Sequence, residues 1–535
     1  MRFSDTKALK KIDKGGICAA LVIIGLGLLL GGWSIGRFPS LLRPWEQCDW
    51  YSVTIGFTNN GYDLFHPETL IYNKEFPDYW QKANESTITA ADFPIHNYIA
   101  ALLMTLFDSS APTTYHIWTL LCSLAGMWFL YLLGRRLTGS KLKAIAITAF
   151  AMMTPVYSLY FVSFLPSIPA VACILAGLWA YVKYYQEERQ LYWNIAIGLL
   201  TLGALMRTSQ AVVLVAVCGY ELLRIIRRDT PLLNKIPAVL LSGAFIGGYM
   251  MWNTHLRTVY GSLFLPWLKP LQGWNDITTI WERYHYVYFS LPQLIVICAL
   301  ILAAVVTVIK CKRTSNDKNH HHLPLWVLWA IWLFGELFFF LAMGNQFIDH
   351  DYYFLDSFYL LVIVGVILLA KLLPLPKKTV WQAVTLVCML TMLWPLYRAT
   401  YNTHKEYTEG YSLANSCYPN YKGSGQWLDE IGISRDARIL SVASFPQNMP
   451  FILMGRKGYI VQWAGDDFDM SGLLSIALTF PFDYVVTEEW YLQNRFDQYR
   501  VMFERLIPMA KHGPLWLCTV ADTVVNKGPE DLFTQ

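Results

Sequence analysis

Charged side chains are scarce in this sequence. Asp, Glu, Lys and Arg make up 15% of 535 residues and 55% are hydrophobic. With a mean hydropathy of +0.34, that balance excludes an ordinary soluble enzyme and points to a polytopic membrane protein. The net charge of +4 comes from loops assigned below to the cytoplasmic side, so it implies no nucleic-acid partner. Metal-binding cysteine patterns are missing as well. The ten cysteines contain no CxxC, and Cys18, Cys122, Cys173, Cys218, Cys298 and Cys388 stand inside apolar runs, where cysteine behaves as a small hydrophobe. Cys48, Cys417 and Cys518 fall outside the cytoplasm, which leaves a Cys417–Cys518 disulfide as one option. No glycine-rich phosphate loop is present, so no nucleotide is called for. Internal repeats, heptad runs and low-complexity segments are also absent. No small-x-small cleavage site follows the first apolar run, Ile17 to Ile35, which behind Lys7, Lys10, Lys11 and Lys14 reads as a retained span.

What the chain has in quantity is apolar runs. Ile17 to Ile35, Tyr115 to Leu133, Ala144 to Leu159, Pro166 to Tyr184, Trp193 to Met206, Ala211 to Ile226, Ile236 to Trp252, Leu291 to Ile309, Leu323 to Met343, Phe354 to Leu372 and Val380 to Tyr397 read as spans, giving about 11 transmembrane helices. Ile95 to Phe107 is shorter and follows a proline, so it reads as an interfacial helix. With this count the N-terminus is cytoplasmic, and the cytoplasmic segments carry 22 basic residues against 8 in the longer outer loops. Counting Ile95 to Phe107 as a crossing would destroy that asymmetry. The expected division is residues 1–400 as a membrane domain, with an outer loop at 36–114, and 401–535 as an extracytoplasmic domain. His320, His321 and His322 lie on the cytoplasmic face and read as a solvated linker, with a metal tract as the alternative.

The candidate chemistry collects on the outer face. Asp49 stands three residues after Glu46 among Trp45, Trp50 and Tyr51, surroundings that desolvate a carboxylate, raise its pKa and suit a general base. The alternative is a loop aspartate capping a helix. Asp92 precedes Phe93-Pro94 and a short helix whose first turn holds His96; it reads either as a second catalytic acid or as a helix start. Arg207 interrupts an apolar stretch and needs an anionic partner or an interface, with a lipid phosphate as the natural ligand and a hairpin tip as the plain alternative. His350, with Tyr352 and Tyr353, lies between two spans behind Asn345 and Gln346, denser in hydrogen-bonding groups than a connector needs.

After Asn402 the pattern changes. Gly425 to Ile431, Pro450 to Met454 and Arg495 to Leu506 read as helices, and Arg438 to Ala443, Tyr459 to Val461, Asp483 to Thr487 and Leu515 to Thr519 as strands. That alternation argues for a small α/β domain.

The runs Trp45-Glu-Gln-Cys-Asp-Trp-Tyr51, Asn60-Gly-Tyr-Asp-Leu-Phe-His-Pro67 and Asp92-Phe-Pro-Ile-His-Asn-Tyr98 resemble the first outer loop of family 39-like GT-C glycosyltransferases. That group includes protein mannosyltransferases and lipid A aminoarabinose transferases. Gly344-Asn-Gln-Phe-Ile-Asp-His-Asp-Tyr-Tyr353 and Leu453-Met-Gly-Arg-Lys-Gly-Tyr459 are similar to later elements of the same family. The resemblance implies an α-helical polytopic GT-C-like fold that moves a sugar from a polyprenyl-phosphate donor to a glycan, lipid or protein acceptor, with inversion, at the outer face of a bacterial inner membrane. By position it implies Asp49 as base, Asp92 as a second acid and His350 as the late-loop histidine. Arg207, Arg257 or His350 would hold the phosphate, and Tyr51, His96, Tyr352 and Tyr353 would line the substrate. The chain departs from the family at Glu46, where a base is common, and at Ser167, where an acid is common. These departures leave the donor and metal dependence open, with a divalent cation one option. Two competing readings are a transporter or carrier-lipid flippase, which would be expected to have symmetric halves, and an O-antigen polymerase or ligase, which would lean on a late outer loop.

Overall fold

A computed structural model describes residues 13–39, 42–78, 80, 85–108, 111–312, 323–374, 379–411, 417–462 and 470–533. The His320 to His322 tract lies outside them. Among the described residues, eight helices are long and apolar enough to cross a membrane: Lys14–Ser34, Pro112–Thr138, Ser167–Glu187, Thr208–Ile226, Ile236–Tyr260, Leu291–Ile309, Leu325–Ile348 and Thr379–Glu409. The three remaining apolar runs of the eleven-span reading fall short of the length of these eight helices. Trp193 to Met206 becomes Gln190–Met206, and Phe354 to Leu372 becomes Phe358–Leu372. Ala144 to Leu159 is two pieces, Lys141–Met152 and Pro155–Tyr160. The break has a local cause: Pro155 starts the second piece and holds Thr154 extended at φ −68°, ψ 125°, as a residue before proline prefers.

Helices Ser167–Glu187 and Gln190–Met206 pack closely as an antiparallel pair. A Cβ on Gly177 would sit 2.8 Å from Leu200, and one on Gly203 would sit 2.7 Å from Ile174, the small-residue contact that brings membrane helices together.

The first long loop is organised by helix Pro44–Asn59, entered through Arg43 at φ 43° with Pro44 in its first turn. Helix Ile95–Leu106 packs beside it. The loop after helix Ile236–Tyr260 holds an amphipathic helix, Trp274–Tyr288.

The C-terminal unit is a five-stranded mixed sheet of β1 (Ile439–Val442), β2 (Gly458–Val461), β3 (Tyr484–Glu488), β4 (Leu506–His512) and β5 (Leu515–Val520). Its order is β2-β1-β3-β5-β4, parallel around β1 and antiparallel from β3 onward. The expected helix from Arg495 to Leu506 is corrected. Only Glu489–Asn494 and Arg500–Phe503 are helical, and Leu506 opens β4. An alternating strand ending at Gly513, φ 58°, pairs back onto β5 as a hairpin, with Pro508 tolerated at an edge irregularity. The disulfide option is corrected too: Cys417 and Cys518 are free and buried. They belong to apolar clusters on opposite faces of the sheet, where no bond can reach.

The sheet does not stand apart from the first loop. Tyr72 and Trp80 enter the cluster on one face, and Leu70, Ile71 and Cys48 enter the cluster on the other. Loop backbone extends the β2 edge: Tyr72 donates to Gly458 at 2.9 Å and Gly458 donates to Leu70 at 3.0 Å. The Asn73 amide closes on Ile460, donating at 2.8 Å and accepting at 2.9 Å.

Candidate active site

Asp49 projects from the second turn of helix Pro44–Asn59 and is 2% exposed. Its two oxygens accept from Gln447 Nε2 at 2.9 Å and from Asn448 Nδ2 at 2.8 Å. Burial pushes this carboxyl well above the usual range, and nearby Glu75 and Glu46 add to the rise while the two amides oppose it. Glu75, half-buried beside them, is itself pushed up to about 7, chiefly by burial and then by Glu46.

One turn back, Glu46 meets His350 Nδ1 at 2.7 Å. Burial opposes the charge on Glu46, but the bond to His350 and the field of Arg43 outweigh it and hold the carboxyl low. Arg43 ties the same helix end to the late loop: its Nε donates to Asp351 at 3.1 Å and its Nη2 donates to the Tyr284 hydroxyl at 2.8 Å. Tyr160 donates to the same Asp351 oxygen at 2.6 Å.

The histidine leads on to the arginine. The His350 ring lies 5.4 Å from Tyr352 and 6.0 Å from Tyr353. The Arg207 guanidinium lies over both tyrosines, at 5.4 and 5.9 Å. Arg207 Nε donates to Asp356 at 2.8 Å, and a second nitrogen bonds the same oxygen. Its Nη1 is 3.9 Å from Asp92, which also accepts from the Thr208 hydroxyl at 2.7 Å. Burial opposes the guanidinium charge, yet Asp356 and Asp92 hold it more firmly than in a free arginine. Asp356 is fully buried and takes a further bond from the Ser167 hydroxyl at 3.0 Å. Burial pushes both Asp356 and Asp92 up, against the pull of Arg207.

The structure therefore joins Glu46, His350, Tyr352, Tyr353, Arg207 and Asp92 in one chain of contacts, and Asp49 stands one helical turn from Glu46 at its end. Three other candidates go elsewhere. Tyr51 packs into an aromatic cluster, 4.6 Å from Phe164 and 6.2 Å from Tyr115. His96 is buried and accepts from Trp118 Nε1 at 2.8 Å, and burial pushes its imidazole down to about 3. Arg257 donates to the Pro266 carbonyl at 3.3 Å, and among the described residues no hydrogen bond or ion pair links it to the other candidates.

Sequence reasoning missed several partners. Asp351 stands beside His350 in a segment already singled out, and Asp356 opens an apolar run, where an acid is itself a signal. Ser167, noted as a departure, is a ligand of Asp356. Nothing in the sequence points to Gln447 or Asn448. Among the described residues, no group of three or more His, Cys, Asp or Glu could hold a metal ion. An apolar cavity of about 330 Å³ lined by Trp193, Glu221, Lys235 and neighbouring leucines includes none of these site residues.

Residues 91–252 match the family described as dolichyl-phosphate-mannose-protein mannosyltransferase. Among solved structures, ArnT from Cupriavidus metallidurans in the apo state is similar at a TM-score of 0.56 and 10% identity, over 94% of this chain and 97% of that one. The same protein bound to undecaprenyl phosphate gives 0.57 and 10%, over 93% and 97%. The Archaeoglobus fulgidus oligosaccharyltransferase in complex with Zn and sulfate gives 0.51 and 12%, over 91% of this chain and 69% of that one. No curated protein matches by sequence. Similarity over most of the chain defines the class of fold, a polytopic membrane protein with the GT-C fold of these structures. Within that fold the segment 91–252 is similar to the protein-mannosyltransferase family.

Proposed function

We propose that this protein transfers a sugar from a polyprenyl-phosphate carrier to an acceptor hydroxyl at the outer membrane surface, in one inverting displacement with Asp49 as general base. The observation that carries this reading is a desolvated carboxyl, Asp49, one helical turn from Glu46, whose contacts lead through His350 and Tyr353 to a fixed cation, Arg207. The chemistry needs these two groups. The hydroxyl attacking the anomeric carbon must lose its proton to a base, and the leaving lipid phosphate must be met by positive charge. Arg207 and His350 are assigned to the phosphate, with Tyr352 and Tyr353 beside it. Asp92 orients Arg207. Arg257 bonds its own loop and receives no role in the transfer. ArnT from Cupriavidus metallidurans has been solved with undecaprenyl phosphate bound, and a carrier of that kind is assigned here by fold analogy. The acceptor is a glycan, lipid or protein hydroxyl, and the location is a bacterial inner membrane with residues 401–535 outside.

The test supplies membrane vesicles containing the protein with polyprenyl phosphate that bears a radiolabelled sugar. Label is expected to leave the carrier and appear in an acceptor. Label that crosses the bilayer still on its carrier would instead make the protein a flippase.

Orientation has its own test. From the split in basic residues, a reporter active only outside the cytoplasm is expected to work when fused after Gly410 and to fail after Arg136, Arg228 or Lys312. A silent fusion at Gly410 would reverse every loop assignment.

A further inference from the structure

Two side chains of the C-terminal unit close on Asp49, and the segment that delivers them is firmly built. Gln447 and Asn448 lie in the turn between β1 and helix Met449–Met454. This is the carboxyl end of a strand with parallel neighbours on both sides, the end at which open α/β sheets bind ligands. The turn is anchored from behind, where the Ser444 hydroxyl lies 2.6 Å from the Tyr421 hydroxyl and 2.7 Å from that of Ser441. On the other side, the Phe445 ring packs 5.1 Å from Trp45, one turn before Asp49. Met449 and Phe451 share an apolar cluster with Cys48, the neighbour of Asp49. Gln447, Asn448 and Asp49 are all buried.

We infer that Gln447 and Asn448 are positioning residues for the transfer reaction: their amides fix the carboxylate of Asp49 so that its free lone pairs meet the acceptor hydroxyl, and the C-terminal unit thereby completes the active site. The inference rests on Asp49 as the base. A carboxylate offers about four lone-pair sites on two oxygens. One amide N–H takes a site on each oxygen, which prevents rotation and leaves a site on each for an incoming proton. The same two donors favour the charged form. That matters because the titratable groups facing Asp49 are Glu46 and Cys48 on its own helix and Glu75 on the adjoining loop, and both glutamates oppose its ionisation. The groups facing it from the C-terminal unit are the neutral amides. Asn448 also keeps Oδ1 without a hydrogen-bond partner among the described residues, an acceptor atom beside the base for a second hydroxyl of a polyol substrate.

Gln447→Met and Asn448→Leu keep roughly the shape of each side chain and remove its donor. The full-length protein in detergent is treated with dicyclohexylcarbodiimide, which modifies protonated carboxyls, and labelling of Asp49 is read by mass spectrometry across pH. The pH of half-labelling is expected to rise by roughly one to two units in the double variant, from the usual strength of hydrogen bonds to a charged group, with part of the rise in each single variant. The acid limb of the transfer rate is expected to move by the same amount. Half-labelling at the parent pH in all three variants would overturn the inference, and if the double variant does not fold, two unshifted single variants would overturn it equally. Normal transfer by Asp49→Asn would remove the base assignment instead, an outcome the labelling does not depend on.

Discussion

Replacing Arg207 with leucine is expected to abolish sugar transfer and to destabilise the protein, whereas leucine at both Arg207 and Asp356 should restore stability without restoring transfer. The asymmetry follows from burial. Asp356 is fully shielded from water, Arg207 is 12% exposed, and the two meet through two nitrogens on one oxygen. Removing the cation alone strands a carboxylate that keeps only the Ser167 hydroxyl. Breaking one side of a buried pair typically costs about 3–5 kcal/mol, while replacing both partners with apolar groups is often neutral or stabilising. Thermal unfolding in detergent reads the first effect, and transfer from the labelled carrier reads the second. A single variant as stable as the parent would show that the pair is not formed. An active double variant would show that Arg207 does not serve the phosphate. Arg207→Lys gives a milder version: an ammonium is a point charge and cannot hold Asp356 with the fork of a guanidinium while also meeting a phosphate. Transfer is then expected to fall at least tenfold.

How much of this was legible in the sequence depends on how local the signal is. Apolar runs are contiguous, so each expected span corresponds to a helix or helix pair, with errors in length. Ala144 to Leu159 reads as one run because hydropathy averages over Pro155, whereas the backbone cannot ignore it. Asp49, Arg207 and His350 were legible because each is a polar residue in apolar or aromatic surroundings, a contrast that needs no three-dimensional information. His96 and Tyr51 share that contrast but turn inward to Trp118 and Phe164, and which way a side chain faces is settled only by packing. The strands of the C-terminal unit were mostly found from their apolar runs. β4 was not, because Arg495 to Leu506 carries enough helix-forming residues to mask where the chain turns extended. Least legible was the union of the two ends of the chain. The amides of Gln447 and Asn448 reach Asp49 across 398 and 399 residues of sequence, and no spacing rule connects residues so far apart. The tail therefore reads from sequence as a separate small domain, whereas in the fold it shares core with Leu70, Ile71 and Trp80.

Asp49→Asn is expected to lower turnover by roughly a hundred to ten thousandfold, the usual worth of general-base catalysis, while the protein still inserts and still binds the carrier lipid. Asparagine keeps the shape and one acceptor oxygen but cannot take a proton. It also puts an amide NH2 against Gln447 or Asn448, whose donors now face an oxygen only once, so a small structural loss has to be separated from the chemical one. Asp63 provides that comparison. It lies in the same loop, accepts the Phe65 N–H at 3.0 Å and meets His66 at 2.7 Å, and its side chain is about half exposed. These are the contacts of a loop cap, typically worth about 1 kcal/mol, so Asp63→Asn is expected to lose about tenfold or less. The pH dependence has a definite sign. The base works ionised, and burial together with Glu75 and Glu46 raises Asp49 above the usual carboxylate range. Transfer should therefore climb with rising pH above the range in which an exposed aspartate is already fully charged. The Asp49→Asn residual rate should lose that climb, whereas the Asp63→Asn rate should retain it. A flat profile in the parent enzyme would remove the assignment of Asp49 as base, and near-normal transfer by Asp49→Asn with Asp92→Asn inactive would move the base to the carboxylate beside Arg207.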